Sequence, residues 1–298
     1  MSNPPCKLFD THAHFFTNDV RSYPVDLTGA REGSDTLMAR LERDPATAKR
    51  ILALWDECHV TGGAAVQYNT VYKTDNSYAI AVADAHHDRV SAVLILDAAA
   101  SDTPAKLERL ASQHNVGGLR LFGQPDGQGN YPWLDSPAAL ATWDVATASG
   151  LHMILMYAPG KPSQAALRRI VALARRYPAT TIALDHCAWL GFGSEGPVTI
   201  GPEHRDLIDV PNILFKITQI NFNRLRDIGA DAADFVHLLV ETYGAGRVMW
   251  GSDYGNTTIG YADMVAQAIA ATRRLSEAQR AALLHDNGAR LFADRLTA

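Results

Sequence analysis

Two patterns of apolar spacing alternate along the whole chain. Short runs rich in valine, isoleucine and leucine, of strand length and with little polar interruption, give way to longer stretches in which apolar positions recur every three or four residues. Apolar runs of this kind suit strands buried on both faces, and their alternation with helical stretches is the pattern of a parallel sheet built from βα units. The runs predict strands near 7–11, 62–68, 90–97, 116–122, 152–158, 180–187, 213–218 and 247–252. Helical spacing is found at 35–59, 76–87, 104–113, 136–149, 163–176, 231–243 and 261–273. Eight strands in 298 residues leave about 37 residues per βα unit, ordinary for a (β/α)8 TIM barrel of the α/β class. A doubly wound open sheet is the alternative, and it needs a glycine fingerprint after an early strand. Thr61-Gly62-Gly63 precedes its strand, where such a loop cannot cradle a phosphate. One barrel domain over 1–298 is therefore expected.

Composition narrows the function classes. With 47% hydrophobic and 20% charged residues the chain can bury a large core, and its 22 Gly and 14 Pro are scattered rather than gathered into a linker. A net charge of -5 and the lack of any long basic run argue against nucleic acid as a partner. No stretch approaches the ~20 apolar residues that span a bilayer, and the start has no basic region followed by an apolar one. A soluble cytoplasmic enzyme with a small-molecule substrate, open to homo-oligomer formation, is the expectation. Cys6, Cys58 and Cys187 are too few and too scattered for a disulfide framework or a thiolate metal site, and Cys187 reads as a buried thiol.

The chemistry lies at the predicted strand exits, where barrels carry their functional side chains. Asp10-Thr11-His12-Ala13-His14 ends the first strand, and residues two apart on a strand point the same way, so His12 and His14 should converge. Strand six delivers His186 and strand eight delivers Asp253. Polar groups at such ends are costly to bury unless paired or used.

These segments carry a resemblance. Asp-Thr-His-Ala-His at strand one, Leu-Asp-His-Cys-Ala at strand six, Met-Trp-Gly-Ser-Asp-Tyr at strand eight and the segment His285 to Phe292 resemble the amidohydrolase superfamily. Val66-Gln67-Tyr68-Asn69 and Thr74-Asp75-Asn76-Ser77-Tyr78 are similar to its amidohydrolase-related branch, which includes 2-pyrone-4,6-dicarboxylate lactonases and sugar-lactone hydrolases. The resemblance implies a distorted (β/α)8 barrel with His12, His14, His186 and Asp253 lining the site. Two departures bear on metal. Strand five ends in Met156-Tyr157 where metal-dependent members place a histidine, and His152 comes too early on the strand to replace it. Strand four has no lysine to be carbamylated, which argues against a binuclear centre. A bound zinc would keep His12, His14 and Asp253, with His186 as a further ligand or an acid/base. The expectation is that no cofactor is required, or that one divalent metal, zinc or manganese, binds weakly.

On this reading Asp253 is the general base, while His186, with His12 and His14, polarises the scissile carbonyl. Arg120, near the end of an interior strand, suits a substrate carboxylate, its alternative being an ion pair to a rim acid such as Asp97. Tyr157, Asn76 and Lys216 complete the candidate substrate contacts, although Lys216 could face the outer helices and the 74–77 segment could simply cap a helix. The leading function is hydrolysis of a small lactone or cyclic ester, carboxylated or with a sugar-like polar face. The alternative is metal-dependent non-oxidative decarboxylation of an aromatic or unsaturated acid, which the missing strand-five histidine disfavours. Specificity is expected in loops 123–133 and 191–203.

Overall fold

Eight parallel strands follow one another around a barrel in chain order: β1 (Leu8–Ala13), β2 (Val60–Val66), β3 (Val90–Ile95), β4 (Val116–Gly123), β5 (His152–Tyr157), β6 (Ile182–Leu184), β7 (Ile213–Ile217) and β8 (Val248–Trp250). This computed structural model describes residues 6–157, 161–191 and 198–296. Residues 1–5, part of the start read for a leader, and 192–197 of the loop expected to set specificity lie outside the described residues. No described helix is long and apolar enough to cross a membrane.

The ring closes between β8 and β1 by other means than a regular ladder. At the rim, Asp253 N donates to His12 O at 2.6 Å and His14 N donates to Tyr254 O at 2.9 Å. Lower down side chains join the strands: Thr11 Oγ1 donates to Trp250 O at 2.7 Å, and the buried Asp10 carboxylate accepts from Ser252 N and Oγ at 2.8 and 2.6 Å. Gly251 makes this approach feasible, since a Cβ there would meet His12 Cβ at 2.5 Å.

Strand alternation sorts the barrel interior into two layers. Phe9, Ala64, Val66, Val93, Ile154, Ala183 and Met249 form an apolar layer with Phe292 from the C-terminal segment. The side chains two residues further on from Gly118, Ile154, Ala183 and Leu214 are Arg120, Met156, Asp185 and Lys216, so the apolar layer is roofed by a polar one. At the opposite end His152 Nε2 donates to Leu291 O and Asn287 Nδ2 donates to Ala245 O and Val248 O, both at 2.7 Å, sealing the base.

Three expectations are corrected. The helix expected over 35–59 is two, Ser34–Arg43 and Ala48–Glu57, because Pro45 interrupts the ladder and Thr47 restarts it by accepting from Arg50 N. A helix absent from the expectation, Gln219–Asp227, follows β7. Strand six stops at Leu184 rather than reaching 187, and the chain then makes a left-handed turn.

Candidate active site

His12 and His14 do converge. Phe9 faces the apolar layer, and a register irregularity between Asp10 and Ala13 coincides with the change of alternation that turns the even-numbered His12 and His14 inward. Their Nε2 atoms lie 3.3 Å apart, and Asp253 Oδ1 lies 3.6 Å from His12 Nε2 and 3.2 Å from His14 Nε2. All three side chains are essentially buried. Asp253 reaches this position from a backbone held at φ 59°, and its Oδ2 accepts from Asn256 Nδ2 at 3.2 Å.

The far nitrogens of both imidazoles face acceptors. His14 Nδ1 donates to Val66 O at 3.0 Å, and His12 Nδ1 lies 3.2 Å from Asp185 Oδ1, close but off the line of a good hydrogen bond. With Nδ1 of each ring turned to an acceptor in this way, the Nε2 lone pairs point at one another and at the Asp253 carboxylate. Three electron-rich atoms at such separations favour a cation between them. Donor separations of 3.2–3.6 Å are also the edges of a tetrahedron whose bonds measure about 2.0–2.2 Å, the usual zinc-to-nitrogen and zinc-to-oxygen lengths. His12, His14 and Asp253 can thus together hold a metal ion, their ligand atoms lying within 4.8 Å of one another, and Asp185 and Val66 O stand behind the histidines as orienting partners.

Asp185, which sequence reasoning missed, is the hub of the site. Its Oδ2 accepts from Arg120 Nε at 2.8 Å, and its Oδ1 lies 3.4 Å from Lys216 Nζ as well as beside His12. Burial pushes the Asp185 carboxyl up, but Lys216, His12 and Arg120 together outweigh it and hold the group well below the usual carboxylate range. Burial lowers Lys216 against the pull of Asp185. The signal was present in the sequence: two interior cations on β4 and β7 need an interior anion, and Asp185 has the same parity as the interior Ala183. Burial also draws the His12 imidazole down to about 3 despite Asp185, leaving it neutral. Asp253 is pushed up by burial, yet the neighbouring His14, His12 and His186 imidazoles prevail and hold it below the usual carboxylate range.

His14 and Asp253 form the floor of a cleft of about 540 Å³ whose walls include Tyr68, Arg120, Phe122, Met156, Tyr157, His186 and Trp189, with His12 buried behind them. His186 stands on the turn after β6, where His186, Cys187, Ala188 and Trp189 have φ between 52° and 57°. Four consecutive left-handed residues without a glycine are strained by about 1–2 kcal/mol each. Neighbours clamp the turn: Asn221 Nδ2 donates to His186 O at 2.9 Å, Tyr157 Oη and His204 Nε2 bond to Ala188 O at 3.1 and 3.0 Å, and Trp189 Nε1 donates to Tyr157 O. Cys187 is fully buried and burial pushes its thiol well up, as a buried thiol requires.

Four expectations about substrate contacts need adjustment. Arg120 pairs with Asp185 and not with Asp97, which is exposed on the loop after β3, but its guanidinium still lines the cleft. Lys216 points into the barrel, not toward the outer helices, and it is sealed beneath Asp185 away from the cleft. Asn76 does not line the cleft: it accepts from Ile95 N at 2.8 Å and donates to Ile95 O and Thr74 O at 2.9 Å, while Asp75 bonds the first helical N–H at Ser77. Tyr157 lines the cleft with its hydroxyl proton already committed to Ala188 O.

A family model for amidohydrolases matches residues 9–293. The chain belongs to the amidohydrolase family. This amidohydrolase is 25% identical over 186 residues, 60% of its length, to an L-fucono-1,5-lactonase from Burkholderia ambifaria, and the match spans 60% of that relative. Its fold is similar to that of a probable 2-pyrone-4,6-dicarboxylic acid hydrolase from Acinetobacter baumannii with citric acid bound, with a TM-score of 0.73, 19% identity and 96% and 99% of the two chains covered. It is similar also to a zinc-bound amidohydrolase from Burkholderia multivorans, with a TM-score of 0.71, 18% identity and again 96% and 99% coverage. At these identities the structural likeness concerns the fold, which places the cleft at the carboxyl ends of the strands.

Proposed function

We propose that this amidohydrolase opens a small lactone bearing a carboxylate, with Asp253 as general base. The observation that carries the reading is the meeting of His12 Nε2, His14 Nε2 and Asp253 Oδ1 at 3.2–3.6 Å, with His14 and Asp253 lining a cleft that also presents Arg120. The lactonase named among the relatives and the citric acid held by the Acinetobacter protein support a cyclic ester and a carboxylate respectively.

Asp253 removes a proton from water as the water oxygen bonds to the carbonyl carbon. The ring C–O bond then breaks, and the proton passes to the departing ring oxygen, leaving a hydroxy acid. His186 faces the carbonyl, Arg120 holds the carboxylate in register, and Trp189 and Phe122 line the cleft against the apolar side of the substrate. A divalent cation, zinc or manganese, held by His12, His14 and Asp253 would supply Lewis-acid polarisation of the carbonyl. With Met156 and Tyr157 at the exit of β5, the protein offers that ion three ligands, so it should exchange readily.

The test combines metal analysis of the purified protein with a screen of carboxylated lactones, amides and aromatic acids. Lactone turnover is expected to fall on chelation and to return with zinc or manganese. Survival of full turnover after exhaustive chelation would exclude the metal and leave carbonyl activation to His186. Asp253→Asn should lose on the order of 10²-fold or more in kcat with an unchanged circular dichroism spectrum. Near-full hydrolysis by that variant, or release of carbon dioxide from an aromatic acid with no lactone turnover, would sink the reading.

A further inference from the structure

The contact between His186 and Thr218 determines which face of the imidazole chemistry the cleft receives. Thr218 follows β7 and caps the helix Gln219–Asp227, and both His186 and Thr218 are buried. His186 Nδ1 and Thr218 Oγ1 lie 2.7 Å apart. Two arrangements of the proton are conceivable: the ring N–H donates to the hydroxyl, or the hydroxyl donates to a bare ring nitrogen.

Asn221 discriminates between them. Its amide orientation is fixed from both ends, since Oδ1 accepts from the backbone Thr218 N at 3.0 Å and Nδ2 donates to the backbone His186 O at 2.9 Å. If the ring were the donor, the hydroxyl proton would have to go to Asn221 Oδ1, which lies 3.5 Å away and already serves the Thr218 amide. A 2.7 Å separation is the ordinary length for a hydroxyl donor, and 3.5 Å is the limit of a hydrogen bond. We infer that Thr218 is a positioning residue: its hydroxyl donates to Nδ1 of His186 and so fixes the tautomer that presents Nε2–H to the cleft. His186 therefore meets the substrate carbonyl oxygen as a hydrogen-bond donor, without a proton transfer of its own. Asn221 also sets the backbone, holding the His186 carbonyl across the left-handed turn. His12 and His14 contrast with this, having their Nδ1 atoms turned to acceptors and their Nε2 lone pairs turned to the site.

This inference rests on the proposed lactone hydrolysis for its kinetic consequence, but the tautomer is measurable without any substrate. In the full-length protein labelled with ¹⁵N-histidine, the His186 ring should give a pyridine-type Nδ1 and a pyrrole-type Nε2, assigned by their loss in His186→Gln. A pyrrole-type Nδ1 would overturn the inference. Thr218→Val keeps the branched shape and removes the hydroxyl, and should shift His186 toward a mixture of tautomers while lowering kcat about 10-fold or more with KM little changed. Thr218→Ser should restore both the ring signals and kcat, which a purely structural role of the Thr218 methyl would not predict. Unaltered ring signals in Thr218→Val would equally reject the assignment. A wild-type protein with the expected tautomer and no lactone turnover would refute the proposed reaction instead, leaving the Thr218 assignment intact.

Discussion

Arg120 shows how a buried charge can serve structure and recognition with different atoms. Its Nε belongs to Asp185, whereas Nη2 lies 3.3 Å from Met156 Sδ, a weak acceptor, so that edge of the guanidinium is available in the cleft for an anion. Arg120→Lys retains a cation beside Asp185 but loses the planar fork, and should raise KM for a carboxylated lactone more than it lowers kcat. Arg120→Met should depress kcat/KM by roughly 2 kcal/mol or more for the same substrate, because the carboxylate is left unpaired. The methyl ester of that lactone is the control: equal losses for acid and ester would make Arg120 a structural partner of Asp185 and nothing more. At this scale the sequence was most informative where strand parity and position act together. His12, His14, His186 and Asp253 were legible as a rim set for that reason, while Asp185 was hidden behind its neighbour His186. Asn76 stands polar and near the rim in its motif, but its amide is bonded to the backbone of β3, which the motif alone does not reveal.

The strands were legible as elements because a parallel barrel demands unbroken apolar runs, and each of the eight lies within a few residues of the apolar run that announces it. Boundaries at the site were not. Nothing in the apolar pattern distinguishes a strand continuing to Cys187 from one that stops at Leu184 and turns left-handed, since Asp185, His186, Cys187 and Ala188 are all buried in either case. The turn is imposed by its clamps from β5, the 202–205 segment and the helix after β7, which are tertiary contacts without a local signature. Ala188 tests this directly. At φ 55° and ψ 30° a β-branched residue is badly strained, whereas glycine is at ease. Ala188→Val should cost about 2 kcal/mol or more in urea denaturation and lower kcat by displacing His186, while Ala188→Gly should stay within about 1 kcal/mol of wild type. If valine were tolerated as well as glycine, the left-handed turn would not be a rigid support for the site.

The whole molecule divides into an end that reacts and an end that holds, as barrels do. At the holding end Phe292 packs into the apolar layer against Phe9, with ring centroids 6.0 Å apart, and His152 at the start of β5 bonds Leu291 O in the same C-terminal segment. Burial lowers the His152 imidazole below its ordinary 6.5, with the Leu291 carbonyl pulling the other way and Arg295 assisting the burial. The sign of the pH effect follows. Below pH 6.5 the unfolded chain protonates this histidine while the folded chain does not, so the unfolded state binds more protons and stability falls as pH drops through the window beneath 6.5. The slope contributed by one such group is at most about 1.4 kcal/mol per pH unit. His152→Asn should therefore be less stable than wild type at pH 7.5, having lost the bond to Leu291, yet should lose less further stability on acidification to pH 5.5. Urea denaturation of both proteins at the two pH values measures the difference, and it should leave KM at neutral pH unchanged, because the residue stands at the opposite end of β5 from Tyr157 and the cleft. Parallel acid losses in the two proteins would remove His152 as a titrating element and leave it only its role in pinning the C-terminal seal.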